Sequence, residues 1–501
     1  AVRGSVGANA ILVALSATVV ATQHLRPHLA RARAALRAWE HARAPLSPVA
    51  RRVAAIGSLA LLYAGVRLWM FWPARAGVGS SYWWDAGEYL RVAHVPLLST
   101  QFFTEHKPFG YPLVLKLFGE NQSAVVWTQL AISVAAWLFL AGVVARCARG
   151  RIASYGVAVS LLAFSCTWPV ALWDATLLTE SLSISLLAIL IGLGYLCVAK
   201  RTVTAVVSLV AAALFFSSLR DANGAIAAVV VLLVAVASFT PRRLRATAGL
   251  VAGAAACVLL VTVTTSPSRW EVLIADQIDK RVMLDPTALA YFRAHGMPAR
   301  PGLSTVLYQN TRTPTVSFDA AASLRRDARL RYFLPWFMQH GRATYASYLI
   351  DNPATSIGVP TRRFPLILSD AALVSYRPTG FRTPPKAFEH LFYPSSGSHM
   401  ILLELCLGAL AALGLSRRIV TRDWTLPLGL MLSALPLAIL VWDGEPSEVP
   451  RHALLIGISS RLAFWLGCWL VAAPVLAALC KPRHSVSKTA VNVGEASVQY
   501  P

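Results

Sequence analysis

Apolar runs of bilayer-spanning length recur along this 501-residue chain, and few soluble folds could bury so many of them. Ten segments of roughly 17–25 residues read as transmembrane helices. They lie near residues 53–73, 124–145, 152–172, 179–199, 202–219, 224–240, 246–265, 400–416, 424–442 and 452–480. Only 14% of residues are charged against 56% hydrophobic, too few charges for an ordinary soluble surface and too much apolar content for disorder. A net charge of +23 would suit a nucleic-acid binder, but such a protein would not carry the repeated spans. An eleventh apolar stretch, Gly7 to Thr22, is compatible with a further span, an interfacial helix or a signal-like segment. Only Arg3 precedes it, a poor flank for a cleaved signal peptide. The expectation is an all-α polytopic membrane protein.

Alternating the spans puts residues 24–52, 146–151, 200–201, 241–245, 417–423 and 481–501 on one side. Together they hold 21 Lys and Arg against 3 acidic residues, while the rest of the chain holds 25 against 20. By the positive-inside rule the first set is cytoplasmic. The charge therefore reports orientation and contact with anionic lipid headgroups, with no nucleic acid implied. The opposite side receives two large loops, 74–123 and 266–399. The second, with 16 basic and 9 acidic residues and helix-like stretches such as 318–350, is expected to form a partly helical extracytoplasmic subdomain. The organisation is then a basic N-terminal segment (1–52), a membrane core (53–265), the insertion (266–399), C-terminal helices (400–480) and a cytoplasmic tail (481–501). Cys147, Cys166, Cys197, Cys257, Cys406, Cys468 and Cys480 all lie in spans or at their ends. A disulfide-stapled ectodomain and a cysteine metal site are both excluded by that placement.

Acidic residues outside the long loop gather at the external helix ends: Asp85, Glu88, Glu105, Glu120, Asp174, Glu180, Asp221, Asp443, Glu445 and Glu448. Acids contribute little to orientation, so topology alone does not demand this, and an active site at that surface is the sharper reading. The first loop is the most specific text, with Tyr82-Trp83-Trp84-Asp85-Ala86-Gly87-Glu88-Tyr89-Leu90 followed by Glu105-His106-Lys107-Pro108-Phe109-Gly110-Tyr111-Pro112-Leu113. Asp85 and Glu88 are three apart, so on a helix they share a face. Such a pair supplies a tuned proton acceptor or ligands for a divalent cation, unless the helix is only an aromatic-anchored interfacial one.

These motifs resemble the GT-C glycosyltransferases, integral membrane enzymes that include the protein-mannosyltransferase-like and aminoarabinose-transferase-like groups. The resemblance rests on an Asp in the first external loop, then an aromatic-Leu pair, then a Lys-Pro-Phe-Gly-Tyr-Pro-Leu stretch leading into the next helix. Leu177-Leu178-Thr179-Glu180-Ser181 and Leu219-Arg220-Asp221-Ala222-Asn223 are similar to later stretches of the same enzymes, and the likeness covers roughly residues 53–265. Two features depart from it. Asp-Ala-Gly-Glu stands where many relatives have adjacent acids, and the 266–399 insertion matches no familiar subgroup. The resemblance implies a GT-C-like bundle of about ten or eleven helices and an EC 2.4 activity on the extracytoplasmic side of a bacterial cytoplasmic membrane. The implied donor is a polyprenyl-phosphate sugar and the acceptor a cell-envelope glycan, lipid or protein. Arabinose- or mannose-transferring envelope enzymes of high-GC bacteria are the natural comparison.

The resemblance nominates Asp85 as catalytic base, with Glu88 supporting it or sharing a metal. His106, Lys107, Arg220, Arg451 and His452 are then the candidates for the lipid phosphate, with Glu180, Asp221 and Arg461 as secondary candidates. Arg451 and His452 follow an acid-rich turn, which alternatively is a solvated turn with a basic cap. Arg461, about nine residues inside the last span, either grips the phosphate or pairs with Glu404, the pair being the plainer reading. Arg67 is expected to snorkel. Trp336, Tyr345, Tyr348, Tyr376 and Tyr393 suit sugar stacking or, more simply, a small core, and Glu389, His390 and His399 could add to a site. No HExxH, P-loop or dinucleotide fingerprint occurs. A divalent cation is possible and no soluble organic cofactor is expected. The competing class is a transporter or flippase of lipid-linked saccharides, which should show related halves and charges at the membrane midplane.

Overall fold

The computed structural model describes residues 47–74, 84–105, 107–148, 150–200, 202–239, 244–264, 267–298, 324, 327–370, 373, 376–416, 422–444 and 449–479. The apolar stretch Gly7 to Thr22, His106, Glu445, Glu448 and the tail 481–501 lie outside them. Every regular element among the described residues is helical. Among the described residues seven helices are long and apolar enough to cross a membrane: Val53–Phe71, Gln122–Cys147, Glu180–Lys200, Asp221–Ser238, Leu244–Thr264, Arg422–Gly444 and Leu454–Ala473. The chain is thus an all-α, multi-pass membrane protein. Arg151–Ser165 and Trp168–Ala175 make a further span only as a pair bent by 65°, and Val203–Leu219 and Gly397–Ala409 are shorter apolar helices. Each of the ten expected segments overlies a helix, but three do not form full straight spans. For the bent pair the reason is local, since Pro169 opens the second piece and cannot donate a hydrogen bond back to the first.

The chain divides into two compact units, residues 1–63 and 64–501. The described part of the first is the opening of helix Pro48–Phe71. In the second, helix Glu180–Lys200 is the most buried span and packs on Gln122–Cys147 and Val203–Leu219. Asp221–Ser238 packs on Leu244–Thr264, and Thr425–Gly444 on Leu454–Leu479. Lipid tails are as apolar as leucine, so such contacts depend on close packing and small or polar residues rather than on a hydrophobic driving force. Gly429 shows the closeness, because a Cβ there would stand 2.1 Å from Leu233 Cδ2. Asn223 Nδ2 donates across the interior to Ser183 Oγ at 3.0 Å.

Arg67 does not snorkel. It is 1% exposed, forms an ion pair with Asp174, and donates to Ser133 Oγ at 2.9 Å and Ser165 O at 3.0 Å. Asp174 also accepts from Ser181 Oγ at 2.7 Å. The bend after Ser165 carries Asp174 inward, where a guanidinium that meets a carboxylate and two further acceptors has no reason to seek the interface.

The insertion has two parts. The described residues between 275 and 348 share a core in which Phe292, Phe333, Trp336, Phe337, Tyr345 and Tyr348 are buried, so those aromatics pack rather than present a sugar platform. Gln277 Nε2 and Tyr345 Oη donate to Asp443 O at 2.7 and 2.8 Å, closing the C-terminal end of helix Thr425–Gly444. The second part packs against the long helices instead: Gly358–Ile367 on Thr425–Gly444 and Gly397–Ser416, and Lys386–Phe392 on Arg151–Ser165.

Candidate functional site

Six of the residues singled out above meet in one charge cluster. Asp85 sits in the first turn of helix Trp84–His94, where a carboxylate complements the helix dipole. The other end of that helix is held by Lys116 Nζ, which donates to Ala93 O at 2.6 Å and Val95 O at 3.0 Å. Lys107 precedes helix Gly110–Leu117. A Cβ on Gly110 would fall 2.3 Å from Ser218 Oγ and 2.7 Å from Ser218 O. Only glycine permits this approach, which brings the Lys107 segment against the end of helix Val203–Leu219. Arg220 is the next residue after that helix, extended at φ −154° and ψ 147°, and the next helix starts at Asp221. Glu180 begins its own helix, and Arg451 and His452 belong to the short helix Val449–His452. Counting spans puts these four connections at the same end of the helices.

Lys107 Nζ donates to Asp85 Oδ1 at 2.7 Å, and Arg451 Nη1 pairs with Asp85 Oδ2 at 2.8 Å. Arg451 Nε also donates to Glu180 Oε1 at 2.6 Å, and Arg220 Nη1 to the same oxygen at 3.1 Å. Arg220 Nη2 lies 2.8 Å from His452 Nδ1. A guanidinium can only donate, so Nδ1 is the accepting nitrogen of that imidazole. The Arg451 guanidinium stands 5.0 Å from the Tyr376 ring centre, and Tyr376 packs on Trp173 at 5.6 Å. Tyr89 lies beneath Lys107 at 5.6 Å and meets Tyr111 edge-on. Tyr111 donates to Gln129 Oε1 at 2.8 Å, and Gln129 Nε2 to Thr176 O at 2.8 Å.

Burial opposes charge on Asp85, but Lys107 and Arg451 outweigh it and hold the carboxyl well below the usual carboxylate range. Burial likewise disfavours the Lys107 ammonium, and Asp85 more than restores it, raising its pKa. Burial, with Arg220 and Arg451 adding to it, drives His452 well below the ordinary imidazole value, which leaves it neutral. Among the described residues three cations therefore face two carboxylates, an excess of one positive charge. The Asp85 side chain is 28% exposed while Glu180 is fully buried, so Asp85 marks the open edge. Such an arrangement can receive an anion, and a carboxylate stands where the anion's charge would compete for its partners.

Among the described residues Glu88 pairs elsewhere than in the cluster. It shares a helix face with Asp85, but Arg91 Nε holds it at 3.1 Å while Arg91 Nη2 reaches Glu105 at 3.6 Å. Asp221 opens the next helix, where its charge suits the N-terminal turn. Arg461 lies deeper and donates to Pro394 O, Gly457 O and Leu368 O between 2.7 and 3.0 Å. Among the described residues it has no ion pair with Glu404, because backbone carbonyls meet its needs. Tyr393 is core, with Phe164 stacked on it at 5.8 Å and Arg461 over its ring at 4.1 Å.

A divalent cation does not fit the described residues: both oxygens of Asp85 are taken by cations, and no group of three or more His, Cys, Asp or Glu converges. The Tyr111–Gln129 support was missed in the sequence, since a glutamine within an apolar span carries no distinguishing pattern beyond its polarity. The chain matches no family model, no curated protein and no solved structure.

Proposed function

We propose that the chain is an integral membrane glycosyltransferase of the GT-C kind. It moves a pentose or hexose, arabinose or mannose among them, from a polyprenyl-phosphate donor to an envelope glycan, lipid or protein. The reaction takes place on the extracytoplasmic face of a bacterial cytoplasmic membrane. The observation that carries the reading is the meeting of Asp85 with Lys107, Arg220, Arg451 and Glu180 from four connections at one end of the helices, with a surplus of positive charge among the described residues.

Without donor, Asp85 occupies the cations that a phosphate would need. A donor phosphate drawn to Lys107 and Arg451 takes these partners from the carboxylate, whose pKa rises as they leave. The acceptor hydroxyl then attacks the anomeric carbon and gives its proton to Asp85. The bond from that carbon to the phosphate oxygen breaks with its electrons on the oxygen, and polyprenyl phosphate departs against the cations. Base strength thus appears only when the leaving group is in place. Glu180 holds Arg451 and Arg220 by a shared oxygen and is a positioning residue.

The test is transfer of labelled sugar from defined polyprenyl-phosphate donors by protein purified into nanodiscs. Transfer by the wild type, reduced about 10²- to 10⁴-fold in Asp85→Asn, is the expected result. No turnover with any donor, together with vectorial movement of lipid-linked saccharide in liposomes, would establish the flippase instead.

A further inference from the structure

A second polar cavity, of roughly 380 Å³, shares no residue with the charge cluster. Its wall is made by Trp168, Asp370, Arg377, Thr383, Lys386, Glu389, His390 and their neighbours. The size is at the lower end of the about 300–1,000 Å³ typical of small-molecule sites, suited to one or two sugar rings rather than a lipid chain. Charge is the informative contrast. Two cations, Arg377 and Lys386, stand with two acids, Asp370 and Glu389, so the wall carries no large net charge. The hydroxyls of Thr383 and Ser395 and the half-buried ring of Trp168 complete a wall that mixes donors, acceptors and an aromatic face.

Glu389 is the focal group. It is 9% exposed, and its Oε1 accepts the Trp168 backbone N–H at 2.9 Å while its buried Oε2 has no partner. Burial pushes its carboxyl up to about 7, against the pull of that N–H. A buried carboxyl oxygen without a hydrogen bond is rare and costly, and a side-chain rotation that opens it to the cavity lets a ligand hydroxyl supply what is missing. The cavity also lies close to the cluster along the chain. Trp168 and Trp173 belong to one bent segment, and Tyr376, which carries Arg451 on its face, immediately precedes Arg377.

We infer that this cavity is a saccharide-binding site in which Glu389 hydrogen-bonds a hydroxyl of a neutral, polyhydroxylated ligand beside the Trp168 ring. Its assignment to the acceptor rests on the glycosyl-transfer reading, whereas saccharide binding itself does not.

Calorimetric titration of the full chain in nanodiscs with free methyl hexosides and pentosides, and with inorganic phosphate, tests the site. At least one glycoside is expected to bind saturably, and phosphate not to compete. Glu389→Gln keeps an acceptor for the Trp168 N–H but not the carboxyl, and is expected to weaken glycoside binding about tenfold or more. Lys386→Met, at an exposed position on the wall, should weaken it by about threefold or more and guards against a Glu389 variant that fails to fold. Asp85→Asn should bind glycoside as the wild type does. The proposal is overturned if no glycoside binds the wild type, if neither wall variant changes affinity, or if phosphate displaces the glycoside. Glycoside binding by a protein that transfers no sugar would uphold the cavity and remove the transfer reading. Transfer whose acceptor KM is unchanged in both wall variants would uphold transfer and remove the cavity's acceptor role.

Discussion

Two buried clusters of carboxylates and guanidinium groups among the described residues are built to opposite specifications. At Arg67 and Asp174 one cation meets one carboxylate, side-chain exposures are 1% and 3%, and serine hydroxyls and a carbonyl meet the remaining polar atoms. At Asp85 and Glu180 three cations meet two carboxylates, and Asp85 remains 28% exposed. The first is closed, with no charge left over to attract anything. Among the described residues the second carries one more cation than carboxylates, and it is open on one side. Burial and ion pairing alone therefore do not mark a site, whereas charge imbalance and access do.

Four measurements would break or sharpen that contrast. The largest effect expected is on turnover in Asp85→Asn, the loss of about 10²- to 10⁴-fold given above, with the protein less stable but still folded in detergent. Unfolding of that variant would place the open cluster in the same class as the closed one. Next comes Arg67→Ala, which strands Asp174 in the interior and should cost about 3–5 kcal/mol of stability, read as a large fall in Tm or a loss of folded protein. A folded, fully stable variant would remove the structural role. Arg451→Lys cannot span Asp85 and Glu180 with one rigid fork, so the donor KM should rise about 10- to 100-fold while the fold persists. An unchanged KM would take Arg451 out of donor binding. The smallest effect is on pH. Because the Asp85 carboxyl is depressed in the folded state, its stabilising contribution is present above about pH 4, the unfolded value, and declines as pH falls below it. The stability difference between wild type and Asp85→Asn should hold steady from neutral pH to about pH 5 and narrow under more acidic conditions. A difference that widened with acid would contradict the pairing.

Much of this was legible in the sequence, for definable reasons. Spans are read from run length, and each of the ten segments overlies a helix. The residues of the open cluster were found because they sit at connections that alternate to one end, where Asp85, Lys107, Glu180, Arg220, Arg451 and His452 stand out as charges beside apolar runs. Arg67 was misread because its partner depends on a bend that brings Asp174 inward, and position along a hydrophobic segment does not reveal a bend. Arg461 was assigned to Glu404 because sequence displays side chains but not free carbonyls, and its partners are carbonyls. Glu88 illustrates a finer limit, since a spacing of three allows a shared face while a competing Arg91 decides where the side chain goes. The insertion was read as one body because nothing in its composition separates the part with its own core from the part that lies on the long helices.

The three carbonyls that receive Arg461 have a mechanical meaning. One side chain ties helix Leu454–Leu479 to Leu368 and Pro394, on two separate stretches of the insertion. Pro394 adjoins Tyr393 on the wall of the cavity beside Glu389, while the tied helix begins three residues after Arg451 and its hold on Asp85. Any hinge or sliding motion that admits a substrate on one side must drag the other with it or tear out a buried guanidinium. The two regions are therefore tied through one buried side chain rather than free to move apart.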